Sequence, residues 1–148
     1  MNSRRIFVLL IVLGSVAYGS LAAGSALRTW RNLPATLRTL EREATPGAQT
    51  QAAYLRSPWH QGQVLLTFVT GALFLAGALG LWAGTSWARM TLFGGAWVAM
   101  AHLAWTLITS LEWFRTTGTG MLYQVNLLNV AWVLLILAVA PTERLTRS

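Results

Sequence analysis

Four apolar stretches, residues 6–27, 64–83, 90–111 and 121–140, dominate this chain, and each is about long enough to cross a hydrocarbon layer of roughly 30 Å as a helix. They constrain the fold more than any other feature, and the sequence is read as all-α: a four-helix transmembrane bundle. Composition agrees. The chain is 55% hydrophobic and 10% charged, whereas a soluble domain carries about 25% charged residues. Four spans in 148 residues leave little chain for anything else, so a single integral membrane domain over residues 1–148 is expected.

The formal charge of +7 comes entirely from arginine against four glutamates. A basic chain can suggest nucleic acid. Here Arg4, Arg5, Arg28, Arg31, Arg89, Arg115, Arg144 and Arg147 all sit near the ends of the apolar stretches instead of along one face. That placement points to the bilayer and its anionic headgroups as the partner, with a membrane protein partner or a homo-oligomer as further options, and argues against nucleic acid. Cysteine is absent, which removes thiol catalysis, thiolate metal sites and iron–sulfur ligation within the chain.

The first stretch has the Arg-rich start and small-residue end of a signal peptide, but it runs from 6 to 27 without a breaker and is read as a retained helix. Residues 28–63 form one long loop in which Asn32 and Pro34 start a short amphipathic helix, with Leu33, Leu37 and Leu40 on one face and Thr45-Pro46-Gly47 as its stop. Ser57-Pro58 is a strong start signal for the second span, placing it at 58–83. Gly84-Thr85-Ser86 makes a short turn, Ser86 caps a third span at 87–111, and Pro141 closes a fourth at 121–140. Arg4, Arg5 and the amino terminus precede the first span, which favours cytoplasmic termini in a bacterial inner membrane.

Small residues recur at Ala72, Ala76, Gly80 and Gly84 in the second span and at Ser15, Gly19 and Ala23 in the first, and are read as helix-packing stripes. The polar residues of the spans are few. His102 stands deep in the third span, with Thr109 on its face; Asn126 and Asn129 share a face of the fourth; Thr67 and Tyr18 fall at a similar depth when counted from the span ends. Together they could form one polar layer, which either fixes helix register or lines a small pocket.

No catalytic set accompanies them. The chain has no aspartate, its two histidines are expected at different depths, and neither a metal site nor a cofactor is indicated. The sequence alone therefore favours a non-enzymatic accessory, assembly or regulatory membrane protein. The alternative is a binding or transport protein for a small or lipid-like ligand, with a polar pocket around His102 and Asn129.

Overall fold

The first helix does not stop where its apolar stretch stops. In the computed structural model, which describes residues 3–117 and 127–142, α1 covers Ser3–Glu43, 41 residues or about 60 Å of helix. Roughly half of that length is enough to cross lipid. The separate helix expected to begin at Asn32 is the continuation of this rod. No glycine or proline lies between Ala26 and Leu33 to break it, and Pro34 removes only one ladder bond, in a stretch whose neighbours are exposed to solvent.

α1 ends at Ala44, which takes a positive φ of 51°. Thr45 then caps α2 (Pro46–Arg56), its hydroxyl accepting from the Ala48 N–H at 3.2 Å. α2 folds back on α1, burying Leu40, Ala48 and Ala52 between them with Leu37 and Leu55 alongside. The ion pair of Arg56 with Glu41 across this hairpin is exposed and adds little. Most of the segment expected as a loop is thus a helical hairpin extending from the end of the first span.

Ser57 ends α2 and caps α3 (Pro58–Trp82), accepting from the His60 N–H at 3.3 Å. The end of α3 is closed by two reversed bonds, from Thr85 N–H to the Gly80 carbonyl at 2.9 Å and from Gly84 N–H to the Leu81 carbonyl at 3.1 Å. This pattern requires a left-handed residue, and Gly84 supplies it at φ 69°. α4 (Ala88–Thr117) begins just after, its first ladder bond running from Thr91 N–H to the Trp87 carbonyl. The capping position is therefore Trp87, not Ser86. α5 covers Leu127–Val139.

Three of these helices, α1, α3 and α4, are long and apolar enough to cross a membrane. The described part of α5 is 13 residues long; residues 121–126 of the fourth expected span lie outside the described residues. Among the described residues the fold is all-helical, with no strand. α3 lies between α1 and α4, while α5 packs on α4 and touches α1. Ile11, Phe74, Leu92 and Ile136 are fully buried where the four meet, whereas Leu21, Leu79 and Leu128 point outward, as lipid-facing side chains do.

Contact between α1 and α3 is made at backbone distance. A Cβ on Gly71 would stand 2.5 Å from the Ala23 nitrogen and 2.7 Å from the Gly19 carbonyl oxygen. Ser15 and Gly19 are buried on the α1 side. On α3 the contact face runs through Gly71, Phe74 and Ala78, one residue or about 100° away from the stripe expected from Ala72 and Ala76. Ala72 is consequently exposed and Ala76 only partly buried, Gly80 is buried against Ala88 of α4, and Gly84 lies beyond the helix in the turn. Gly71→Ala should therefore cost about 1–3 kcal/mol of stability through overpacking against backbone. Ala72→Leu, facing outward, should change it by less than about 0.5 kcal/mol. Thermal unfolding of both variants in detergent decides this, and equal effects would place the helix contact elsewhere.

Candidate functional site

The polar residues of the spans gather at one end of the molecule. On α3, Gln63 and Thr67 are four residues apart and so share a face; on α4, His102, Thr106 and Thr109 do the same. These faces oppose each other. The Thr67 hydroxyl donates to the Gln63 carbonyl at 2.8 Å and lies 3.2 Å from His102 Nε2. A hydroxyl has one proton to give. With that proton on the Gln63 carbonyl, the contact to His102 is one in which Nε2–H donates and the threonine oxygen accepts, which leaves Nδ1 of the neutral ring as an acceptor.

Gln63 is the second organising residue, and it is 7% exposed. Its Oε1 accepts from the Tyr54 hydroxyl at 2.9 Å, and its Nε2 donates to the Thr109 hydroxyl at 3.2 Å. One amide thus connects α2, α3 and α4. Tyr54 also packs on His60, ring centroids 5.5 Å apart, and Trp59 packs on Trp105 at 4.8 Å. Both ring nitrogens of His60 are buried with no hydrogen-bond partner among the described residues.

Between α1, α3 and α4 lies an open-sided cavity of about 290 Å³, close to the lower end of the roughly 300–1,000 Å³ usual for ligand pockets. Its walls are Ser25, Ala26 and Thr29 of α1, His60, Gln63, Val64 and Thr67 of α3, and His102 and Thr106 of α4. The cavity exists because α1 and α4 are each held by α3 and scarcely by one another. None of the described lining residues carries a formal charge.

Thr67 and His102 stand in this wall, and Thr109 lies just behind it through Gln63. Tyr18 does not. It packs on Phe74, ring centroids 4.7 Å apart, about 10 Å along α3 from Thr67. The count that placed it level with His102 took the first span to end at Leu27, whereas α1 continues and brings Ser25 and Thr29 to that level. Asn129 shares the depth of His102, since the Arg89 guanidinium donates to the Thr142 carbonyl at 3.1 Å and both residues lie thirteen positions from that contact. Its side chain is exposed, however, and does not line the cavity. Asn126 lies outside the described residues.

His60 opens on the same cavity as His102. Seven residues separate it from Thr67, about 10 Å along the helix, so the imidazoles occupy different levels. No group of three or more metal-ligating side chains occurs among the described residues. Gln63, Ser25 and Thr29 were missed from sequence. For Gln63 a signal was present, because an amide four residues before Thr67 on a spanning helix needs partners in lipid.

Gln63→Leu removes the anchor of Tyr54 and the Thr109 bond together. At about 0.6 kcal/mol for a typical side-chain hydrogen bond in a membrane protein, and more where a hydroxyl is left unpaired, the loss should reach about 1–2 kcal/mol. Hydrogen exchange should quicken along residues 46–56. Unchanged protection there would mean that α2 is held by the Leu40, Ala48 and Ala52 cluster alone. Comparison of the chain with protein-family models, with curated proteins and with solved structures finds no match, so the site is read from its own geometry.

Proposed function

We propose that the chain is a multi-pass protein of the bacterial inner membrane, one domain built as a four-helix transmembrane bundle, which binds a small or lipid-like ligand in the cavity between α1, α3 and α4. The observation that carries this is the cavity itself: its polar side chains come from three helices and converge at one end of otherwise apolar spans. Side chains that only fix register would satisfy one another and close the space. The sequence favoured an accessory role because no catalytic set accompanies its polar residues, with a pocket around His102 and Asn129 as the alternative; the cavity beside His102 supports that alternative. Among the described residues the lining contains no carboxylate, and binding without chemistry is the simplest use of it.

Filling the cavity tests the proposal. In native-lipid nanodiscs the wild-type protein should retain a small molecule, identified by mass spectrometry, that Thr106→Phe loses while keeping its thermal unfolding temperature within a few degrees. Identical small-molecule content in both, together with a stoichiometric protein partner, would favour an accessory subunit instead.

Both termini are proposed to be cytoplasmic, with the α1–α2 hairpin outside. Arg4 and Arg5 before the first span support this, as does Arg89 beside Thr142 at the same end of the molecule. Single cysteines at Arg89 and Ser148 should then resist a membrane-impermeant thiol reagent applied from outside, and one at Thr50 should react. Labelling of the Arg89 position alone with that of Ser148 would invert the orientation.

A further inference from the structure

The chemistry of the ligand can be read from which hydrogen-bonding capacities the cavity leaves free. The hydroxyl protons of its wall are mostly spent on helix carbonyls: Ser25 donates to the Ala22 carbonyl at 2.9 Å, Thr67 to that of Gln63 at 2.8 Å, and Thr106 to that of His102 at 2.9 Å. Each oxygen keeps acceptor capacity. The His102 Nε2–H is directed to Thr67, so Nδ1 is a lone pair without a partner. Donors are scarcer. The N–H of His60 is on a ring whose nitrogens are both buried without a partner, and Gln63 is itself buried, with Tyr54 and Thr109 on its amide. Uncommitted protons remain on the buried His60 ring, on the second N–H of Gln63 Nε2 and on the exposed Thr29 hydroxyl, so among the described residues the free acceptors of the wall outnumber its free donors.

The wall is therefore richer in free acceptors than in free donors, and among the described residues it has no carboxylate to balance a cation and no arginine to balance an anion. An occupant that brought only acceptors would leave the lone pairs of Ser25, Thr106 and His102 unpaired or would break the bonds already made. An occupant that brought an ammonium would bury a charge with no counter-charge beside it. The volume suits a compact head. The groove between α1 and α4 runs along membrane-spanning helices, so the remainder of the molecule can lie in lipid.

We propose that the cavity takes the head of an uncharged amphiphile bearing a free hydroxyl, which donates to His102 Nδ1 and to the threonine and serine oxygens. This rests on the cavity being a ligand site, as proposed above.

Three compounds with one tail separate the possibilities: dodecanol, dodecyl methyl ether, which keeps the oxygen but has no proton to donate, and dodecylammonium. Each is titrated into phosphatidylcholine nanodiscs carrying the wild-type protein or Thr106→Phe. The readouts are tryptophan fluorescence and the imidazole ¹⁵N resonances of the two histidines. Dodecanol should bind at least tenfold more tightly than the ether, shift the Nδ1 resonance of His102, and lose both effects in Thr106→Phe. His102→Phe should bring the alcohol-to-ether ratio close to one while ether binding persists. If that variant fails to fold, His102→Gln, whose carbonyl can still accept, should retain part of the ratio.

Equal binding of alcohol and ether, both lost in Thr106→Phe, would overturn the hydroxyl preference and leave the ligand site standing. Tightest binding by dodecylammonium would overturn the uncharged head. Binding of all three that is indifferent to Thr106→Phe, or no binding by any, would overturn both the preference and the site.

Discussion

α1 lies on α3 at backbone distance, and the rest of the structure follows from that approach. Helices in lipid gain nothing from hiding apolar surface from one another, since the solvent is as apolar as they are; association has to come from close packing. Gly19 and Gly71 permit it, with no side chain on either to hold the backbones apart. Once they meet, the antiparallel register of the two helices is set. Six to ten residues further along α1, Ser25 and Thr29 arrive beside the opening turns of α3, where His60, Gln63 and Thr67 stand. α4 is placed on the other side of α3 by the five-residue connection at Gly84. Two helices fixed to a third, and hardly to each other, leave a groove between them, and the polar cavity occupies one end of it.

Local signals in the sequence were informative where a single residue type determines the backbone. Ser57-Pro58 marks the start of α3 because a hydroxyl cap followed by a residue without an N–H suits a helix beginning and little else. Gly84 marks the turn after α3 because the reversed bonds there need a positive φ. Depth along an antiparallel pair is also countable from a short turn, and Thr67 and His102 do meet. The end of α1 was not legible. Arg28 to Glu43 is charged enough to resemble a loop, yet arginine, leucine and glutamate all favour helix, and Pro34 suggested a break that its exposed surroundings do not require. That one error displaced Tyr18 from its true level and hid Ser25 and Thr29. Packing faces are harder still to read, since a stripe of small residues shifted by one position, from Ala72 to Gly71, turns from the outside of the molecule to α1.

The buried amide of Gln63 joins the α1–α2 hairpin to the cavity wall. Tyr54 reaches down from α2 to Gln63, and Gln63 reaches across to Thr109 of α4. The hairpin's own core is small, limited to Leu40, Ala48 and Ala52 with Leu37 and Leu55 beside them. That hydrogen bond and the Tyr54–His60 ring contact both tie α2 to cavity-wall residues. Tyr54 of α2 and Thr109 of α4 thus share one partner, the Gln63 side chain.

The two histidines invite a metal, and their geometry argues otherwise. His102 has its Nε2 committed to Thr67, and His60 approaches from a level about 10 Å away with both nitrogens buried. To share an ion, one ring would have to abandon its bond and the other to turn through packed aromatic neighbours. A neutral wall is also the less costly arrangement at this depth, where an uncompensated charge is disfavoured. The hydroxyls serve the same end: by donating to the carbonyl three or four residues earlier they place their protons inside the helix groove. What they leave facing the cavity is oxygen, which is why the residues most easily dismissed as neutral filler in an apolar helix determine what the cavity can hold.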